Sequence, residues 1–132
     1  MNLAKMLSLK GKVFSGTGEG AKFTEFPWAK QQIAKKIGFI PYPGTLNIKL
    51  SKNSLVAKNS LKKANGIGIS PEEGFCRGKC FYAYIDNLKC AIVIPELEHY
   101  PEDVIEVIAP VNLREKFKLN DDDAVEVKVI IE

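Results

Sequence analysis

The residues that could do chemistry fall in three places. In "VFSGTGEGAKF", residues 13–23, Gly16, Gly18 and Gly20 alternate around Glu19. So bare a backbone can approach phosphate oxygens and donate N–H groups to them. It suits a glycine-rich β-turn equally well. It is not the dinucleotide fingerprint, whose third glycine falls one residue later and opens a helix in a βαβ unit, and it lacks the Gly-Lys-Ser/Thr of a P-loop. Glu19 would repel phosphate, so it is expected to point away or to meet a donor such as a base or sugar. In "PGTLN", Thr45 and Asn47 are two apart and share one strand face. Their neutral oxygens suit a hard cation that also touches phosphate, although such a pair on a polar face needs no ligand. Glu106 is a carboxylate inside the apolar run "VIEVIAP". Facing inward it would be poised as a base by desolvation; on an edge strand it would simply face solvent. Cys76 and Cys80 have no second pair to complete a tetrahedral zinc site, Cys90 lies in an apolar run, and the single His99 makes no triad.

These residues need elements to hold them. "KGKVFSG" reads as a strand ending in the glycine loop. "FPWAKQQIAKKIG" reads as a helix, with Pro27 in its first turn, Gly38 at its C-terminus, and Trp28/Ala29, Ile33 and Ile37 on one face. "PYPGTLNIKL" gives a turn, then a strand with Leu46, Ile48 and Leu50 on one side and Thr45, Asn47 and Lys49 on the other. "SKNSLVAKNSLKKANGIGISPEEG" is polar, broken by Gly and Pro, and is expected to be irregular. "FCRGKCFYAYI" reads as a hairpin turning near Arg77-Gly78, "KCAIVIPE" as a buried strand and "EVIAP" as a short one. "NLREKFKL" is a short helix capped by Asn112, and "DDDAVEVKVII" is a final strand. The expectation is a mainly β chain with one proper helix and one short one. Without βαβ alternation a parallel sheet is disfavoured, and a compact β-barrel with helical insertions fits better. No linker divides residues 1–132, so one domain is expected.

The chain has 132 residues, 45% of them hydrophobic, enough to bury a core without staples. No apolar run approaches the ~20 residues of a membrane helix, and the N-terminal residues carry no secretory pattern. Three cysteines argue against a disulfide scaffold, so a cytoplasmic protein is expected. Charge is unevenly spread: residues 1–66 hold twelve lysines, no arginine and two acids, while residues 67–132 hold seven basic and fourteen acidic side chains. The halves are thus +10 and −7, for a net +3. A basic half implies an anionic partner, either nucleotide phosphates or nucleic acid, unless the lysines only solvate the surface. The competing class is a small basic barrel that binds nucleic acid or a protein without catalysis. Lack of arginine in the basic half and of interleaved aromatics speaks against it.

Taken in order, "SGTGEG", "PYPGTLNIKL" and "IEVIAPVNLREKF" resemble the archaeal CTP-dependent riboflavin kinase family, over about residues 11–50 and 90–131. The resemblance implies a compact six-stranded cradle-loop β-barrel; a monomer with no nucleic-acid or membrane partner is expected. It implies transfer of the γ-phosphoryl of CTP to the 5′-hydroxyl of riboflavin, giving FMN and CDP. It implies Mg²⁺, or another divalent metal, on Thr45 and Asn47. The nucleotide would lie on Gly16, Thr17, Gly18, Glu19, Gly20 and Ala21 and on Val111, Asn112, Leu113 and Arg114. The flavin site would include Glu106, a candidate base, and a position eight residues earlier. A threonine is expected there; this chain has Glu98, in a proline-flanked loop, and it is expected to turn outward and leave the contact to backbone.

Overall fold

Alternating apolar residues build the frame. Strand β1 (Lys5–Phe14) buries Leu9 and Val13, β2 (Leu46–Leu50) buries Leu46, Ile48 and Leu50, and the last strand, β7 (Ala124–Ile131), buries Val127 and Val129. The computed structural model describes residues 5–16, 24–72 and 77–131. Three further long or central strands complete a barrel: β4 (Gly78–Ile85), β5 (Leu88–Pro95) and β6 (Val104–Ile108). The neighbours run β4-β5-β6-β2-β1-β7, all antiparallel, and β7 returns to β4 through Ala83↔Val129 and Tyr84↔Lys128. The six strands therefore close, as expected. The first half of that same β4 edge is taken by a three-residue strand, β3 (Ile67–Ile69).

Two apolar clusters result. The barrel interior holds Leu9, Ile48, Phe81, Ile92, Ile105, Val107 and Val127. Outside the wall, helix α1 (Pro27–Lys36) and the turn after it press Ile33 and Ile37 onto Ile69, Cys80, Ala91, Val93 and Ile108. Pro27 opens α1 and Gly38 leaves it at φ +99°, a conformation that favours glycine. Helix α3 (Leu113–Phe117) begins at Asn112, whose Oδ1 accepts the Glu115 N–H at 3.1 Å.

Two expectations are corrected. The polar stretch after β2 is not irregular: it forms a 12-residue helix, α2 (Lys52–Lys63), followed by β3. Its inward stripe is Ser54, Lys58 and Leu61, flanked by the partly buried Leu55 and Ala57. A serine and a lysine in core-facing slots hide the helical period. The chain thus has two substantial helices among the described residues, not one. The hairpin turn is also displaced. Gly78 lies within β4, opposite Pro95, and the chain reverses at Asp86-Asn87 between Ile85 and Leu88, with Asp86 at φ +52°. Aspartate tolerates that left-handed conformation better than most residues.

Several lysines bind backbone rather than solvent alone. Lys36 Nζ donates to the Gly68 carbonyl at 2.7 Å, and Lys79 Nζ to the carbonyls of Lys62 and Ala64, at 2.7 and 2.8 Å, at the end of α2. No helix among the described residues is long and apolar enough to cross a membrane.

Strand β1 lies close against β2 at Gly11, where a Cβ would overlap the Lys49 carbonyl. A Cβ at Gly68 would meet only Arg77 Nη2, at 3.7 Å. Gly11→Ala is expected to cost ~1–3 kcal/mol of stability, as overpacking does, and Gly68→Ala no more than ~0.5 kcal/mol. Urea midpoints of the two variants test this; equal midpoints would show that the crossing relaxes freely.

Candidate active site

The register of β2 against β6 sets Asn47 opposite Glu106. Ile48 and Ile105, both fully buried, point into the barrel, so Asn47 and Glu106 point out on the same face. Neither environment expected for Glu106 is found. Strand β6 lies between β2 and β5 and is no edge, and the side chain is half-buried on the outer wall. Both carboxylate oxygens are engaged: Thr45 Oγ1 donates to Oε1 at 3.0 Å, and the Tyr100 hydroxyl donates to Oε2 at 2.7 Å. Burial, then the charge and hydrogen bond of Glu106, push the Tyr100 phenol well above its ordinary pKa, so it stays a donor.

The start of the glycine loop joins this group. A Cβ at Gly16 would stand 2.5 Å from Asn47 Nδ2 and 2.9 Å from its Cγ, so any other residue there would displace the asparagine side chain from this position. Thr17, Gly18, Glu19, Gly20 and Ala21 lie outside the described residues, as does Cys76.

A cleft of about 160 Å³ opens beside Thr45. Residues 42–46 form one wall, residues 111–114 the other, and Val107 and Ala109 the floor. The Tyr42 N–H bonds the Ala109 carbonyl at 2.7 Å, and the Gly44 N–H bonds the hydroxyl of the buried Thr24 at 2.7 Å, which fixes the first wall. The second wall is tied to β1. Arg114 Nη2 donates to Asp121 Oδ1 at 2.8 Å and to the Phe14 carbonyl at 3.2 Å, and Ser15 Oγ donates to Asp121 at 3.0 Å. Those bonds, from Arg114 first and Ser15 second, hold the Asp121 carboxyl below its usual pKa. Two segments a hundred residues apart, the entry to the glycine loop and residues 111–114, are thereby fastened side by side.

Glu98 is exposed in the turn between Pro95 and Pro101. Cys80 and Cys90 are fully buried free thiols, each pushed up to about 12 by burial, and they take no part in the site. A second cleft, about 290 Å³ around Tyr84, Asp86, Phe117 and Lys128, contains none of the sequence-predicted residues. Sequence reasoning missed Ser15, Tyr100 and Asp121. Asp121 opens a conspicuous "DDD" run, and Tyr100 sits directly before a proline; neither signal names a partner.

The family profile CTP-dep_RFKase, described as a domain of unknown function (DUF120), matches residues 13–129. Among curated proteins, the chain is 40% identical to a riboflavin kinase of Methanosarcina barkeri, over 94% of this chain and 57% of that protein. It is 43% identical to a riboflavin kinase of Archaeoglobus fulgidus, over 95% of this chain and 55% of that protein. It is 45% identical to one of Pyrobaculum islandicum, over 96% and 62%. The chain spans a little over half the length of these relatives. A profile running through the glycine loop, the Thr45–Asn47 strand, Glu106 and the 111–114 wall, with relatives this similar, identifies the group: the chain belongs to the archaeal CTP-dependent riboflavin kinase family.

Proposed function

We propose that this chain is a riboflavin kinase domain that moves the γ-phosphoryl of CTP to the riboflavin 5′-hydroxyl, yielding FMN and CDP. The observation that carries the reading is the convergence of Thr45, Asn47, Glu106 and Gly16 on one outward face beside the 42–46/111–114 cleft. Phosphoryl transfer asks little covalent chemistry of a protein; it needs donor and acceptor aligned and charge neutralised. The riboflavin kinases among the relatives and the CTP in the family's name supply the substrate classes.

The oxygens present fit a hard divalent cation. The Thr45 hydrogen is committed to Glu106, which leaves its lone pairs for another partner, and Asn47 presents an amide oxygen from the same face. A hydroxyl and an amide are neutral oxygen donors, suited to Mg²⁺ shared with phosphates. Thr45 and Asn47 would hold it, and when bound it neutralises phosphate charge. Backbone of the glycine loop and residues 111–114 line the nucleotide. Arg114, being paired with Asp121, acts as a strut for that wall rather than as a free phosphate clamp. Glu106 accepts the riboflavin hydroxyl proton or anchors that hydroxyl. Glu98, exposed, leaves the flavin to its neighbours.

Three outcomes are expected. With riboflavin and Mg²⁺, CTP should support FMN formation ~10²-fold or more better than ATP, the discrimination that one or two unpaired buried polar groups supply; equal rates would defeat the donor assignment. Asn47→Leu and Thr45→Val should each abolish turnover at limiting Mg²⁺ while leaving the urea midpoint near wild type, and near-normal activity in both would remove the metal role. Glu106→Gln should lower kcat by ~10²–10⁴-fold, the range for acid–base groups; a change in riboflavin KM alone would make Glu106 a binding residue.

A further inference from the structure

Behind Glu106 lies a set of contacts that strand pairing does not require. Residues 96–103, between β5 and β6, contain no strand or helix, yet they are bolted to α2. Lys58, 2% exposed, donates to the carbonyls of Pro101 at 2.9 Å and Val104 at 2.7 Å. Its Nζ also stands 5.3 Å from the centre of the Tyr100 ring. Tyr100 in turn reaches Glu106 at 2.7 Å. A leucine would fill the same helical slot without burying a charge. Burial, with Lys62 adding to it, lowers the Lys58 pKa to about 8 against the opposing pull of Asp103 and Glu102, a sign that the cation sits there at a cost. What the lysine supplies is the position of a loop.

We propose that Tyr100 is a positioning residue of the phosphoryl-acceptor site, fixing the orientation of the Glu106 carboxylate, and that Lys58 anchors Tyr100 for that task. The proposal rests on the riboflavin kinase reading above. A carboxylate on a single strand can rotate about its side-chain torsions. With Oε1 held by Thr45 and Oε2 held by Tyr100, its plane is set, and the remaining lone pairs have one direction in which to meet the acceptor hydroxyl. Nothing in the strand pattern calls for the Tyr100 hydroxyl: phenylalanine would keep the ring and its contact with Lys58 while releasing Oε2.

The test is steady-state FMN formation, with separate KM values for riboflavin and CTP, for wild type, Tyr100→Phe, Lys58→Met, Lys58→Arg and the Tyr100→Phe/Lys58→Met pair. Urea midpoints are measured alongside. Tyr100→Phe should lower kcat by ~10–100-fold, the loss typical of one hydrogen bond to a charged group, with the CTP KM within ~3-fold of wild type and little change in midpoint. Lys58→Met should lower kcat too, and the double variant should be no worse than the poorer single one, since both act through one contact. Lys58→Arg should recover part of the rate. Wild-type kcat and riboflavin KM in Tyr100→Phe would overturn the proposal, and additive losses in the double variant would overturn the Lys58 link. Should Lys58→Met fail to fold, Tyr100→Phe alone decides. A wild-type protein that forms no FMN would sink the kinase reading and this inference with it, an outcome distinct from an active wild type with an unaffected Tyr100→Phe.

Discussion

The registration of β2 against β6 governs everything built on this barrel. Ile48 pairs with Ile105 inside while Asn47 pairs with Glu106 outside. A slip of one residue would turn the amide and the carboxylate into an apolar interior and push two isoleucines into water. The core therefore enforces the site: hydrophobic burial, which is strong and non-directional, is converted by the pleat into the placement of two polar groups. Gly16 and Thr45 then gain their meaning from that placement, one by leaving room for Asn47, the other by bonding Glu106.

Much of this was legible in the sequence, and for a physical reason. Period-two alternation in "TLNIKL" and "AVEVKVII" separates the inner from the outer face without help from partners, and Pro27, Gly38 and Asn112 mark helix ends by local backbone chemistry. What stayed hidden depends on contacts between distant segments. Lys58 disguised α2 because its ammonium finds the carbonyls of Pro101 and Val104, at the entry to β6 and more than forty residues away. The Arg114–Asp121–Ser15 link joins residues whose spacing carries no pattern. The turn at Asp86 was missed because Arg77-Gly78 offered the more familiar glycine, while aspartate served instead.

The lysine-rich first half takes on a different character in three dimensions. Lys36 and Lys58 are bound to carbonyls of their own fold, and Lys79, from the second half, caps α2 in the same way. A lysine stem packs like an aliphatic chain while its head satisfies orphan backbone acceptors. Part of the +10 of residues 1–66 thus has a structural role as well as an electrostatic one, since binding a neutral carbonyl leaves the ammonium charge intact.

Strand β4 has one edge fully occupied by β5 and divides the other between β3 and β7. That division leaves β3, three residues long, as the sheet's one terminal strand among the described residues. Its outward backbone is already engaged: Gly68 by Lys36, and Ser70, just beyond, by both polar atoms of the Gln32 amide. A closed barrel whose single spur is this short and this well covered offers a neighbouring copy almost no ladder to extend. Among the described residues, the topology itself thus guards the one strand edge that edge-to-edge pairing would use.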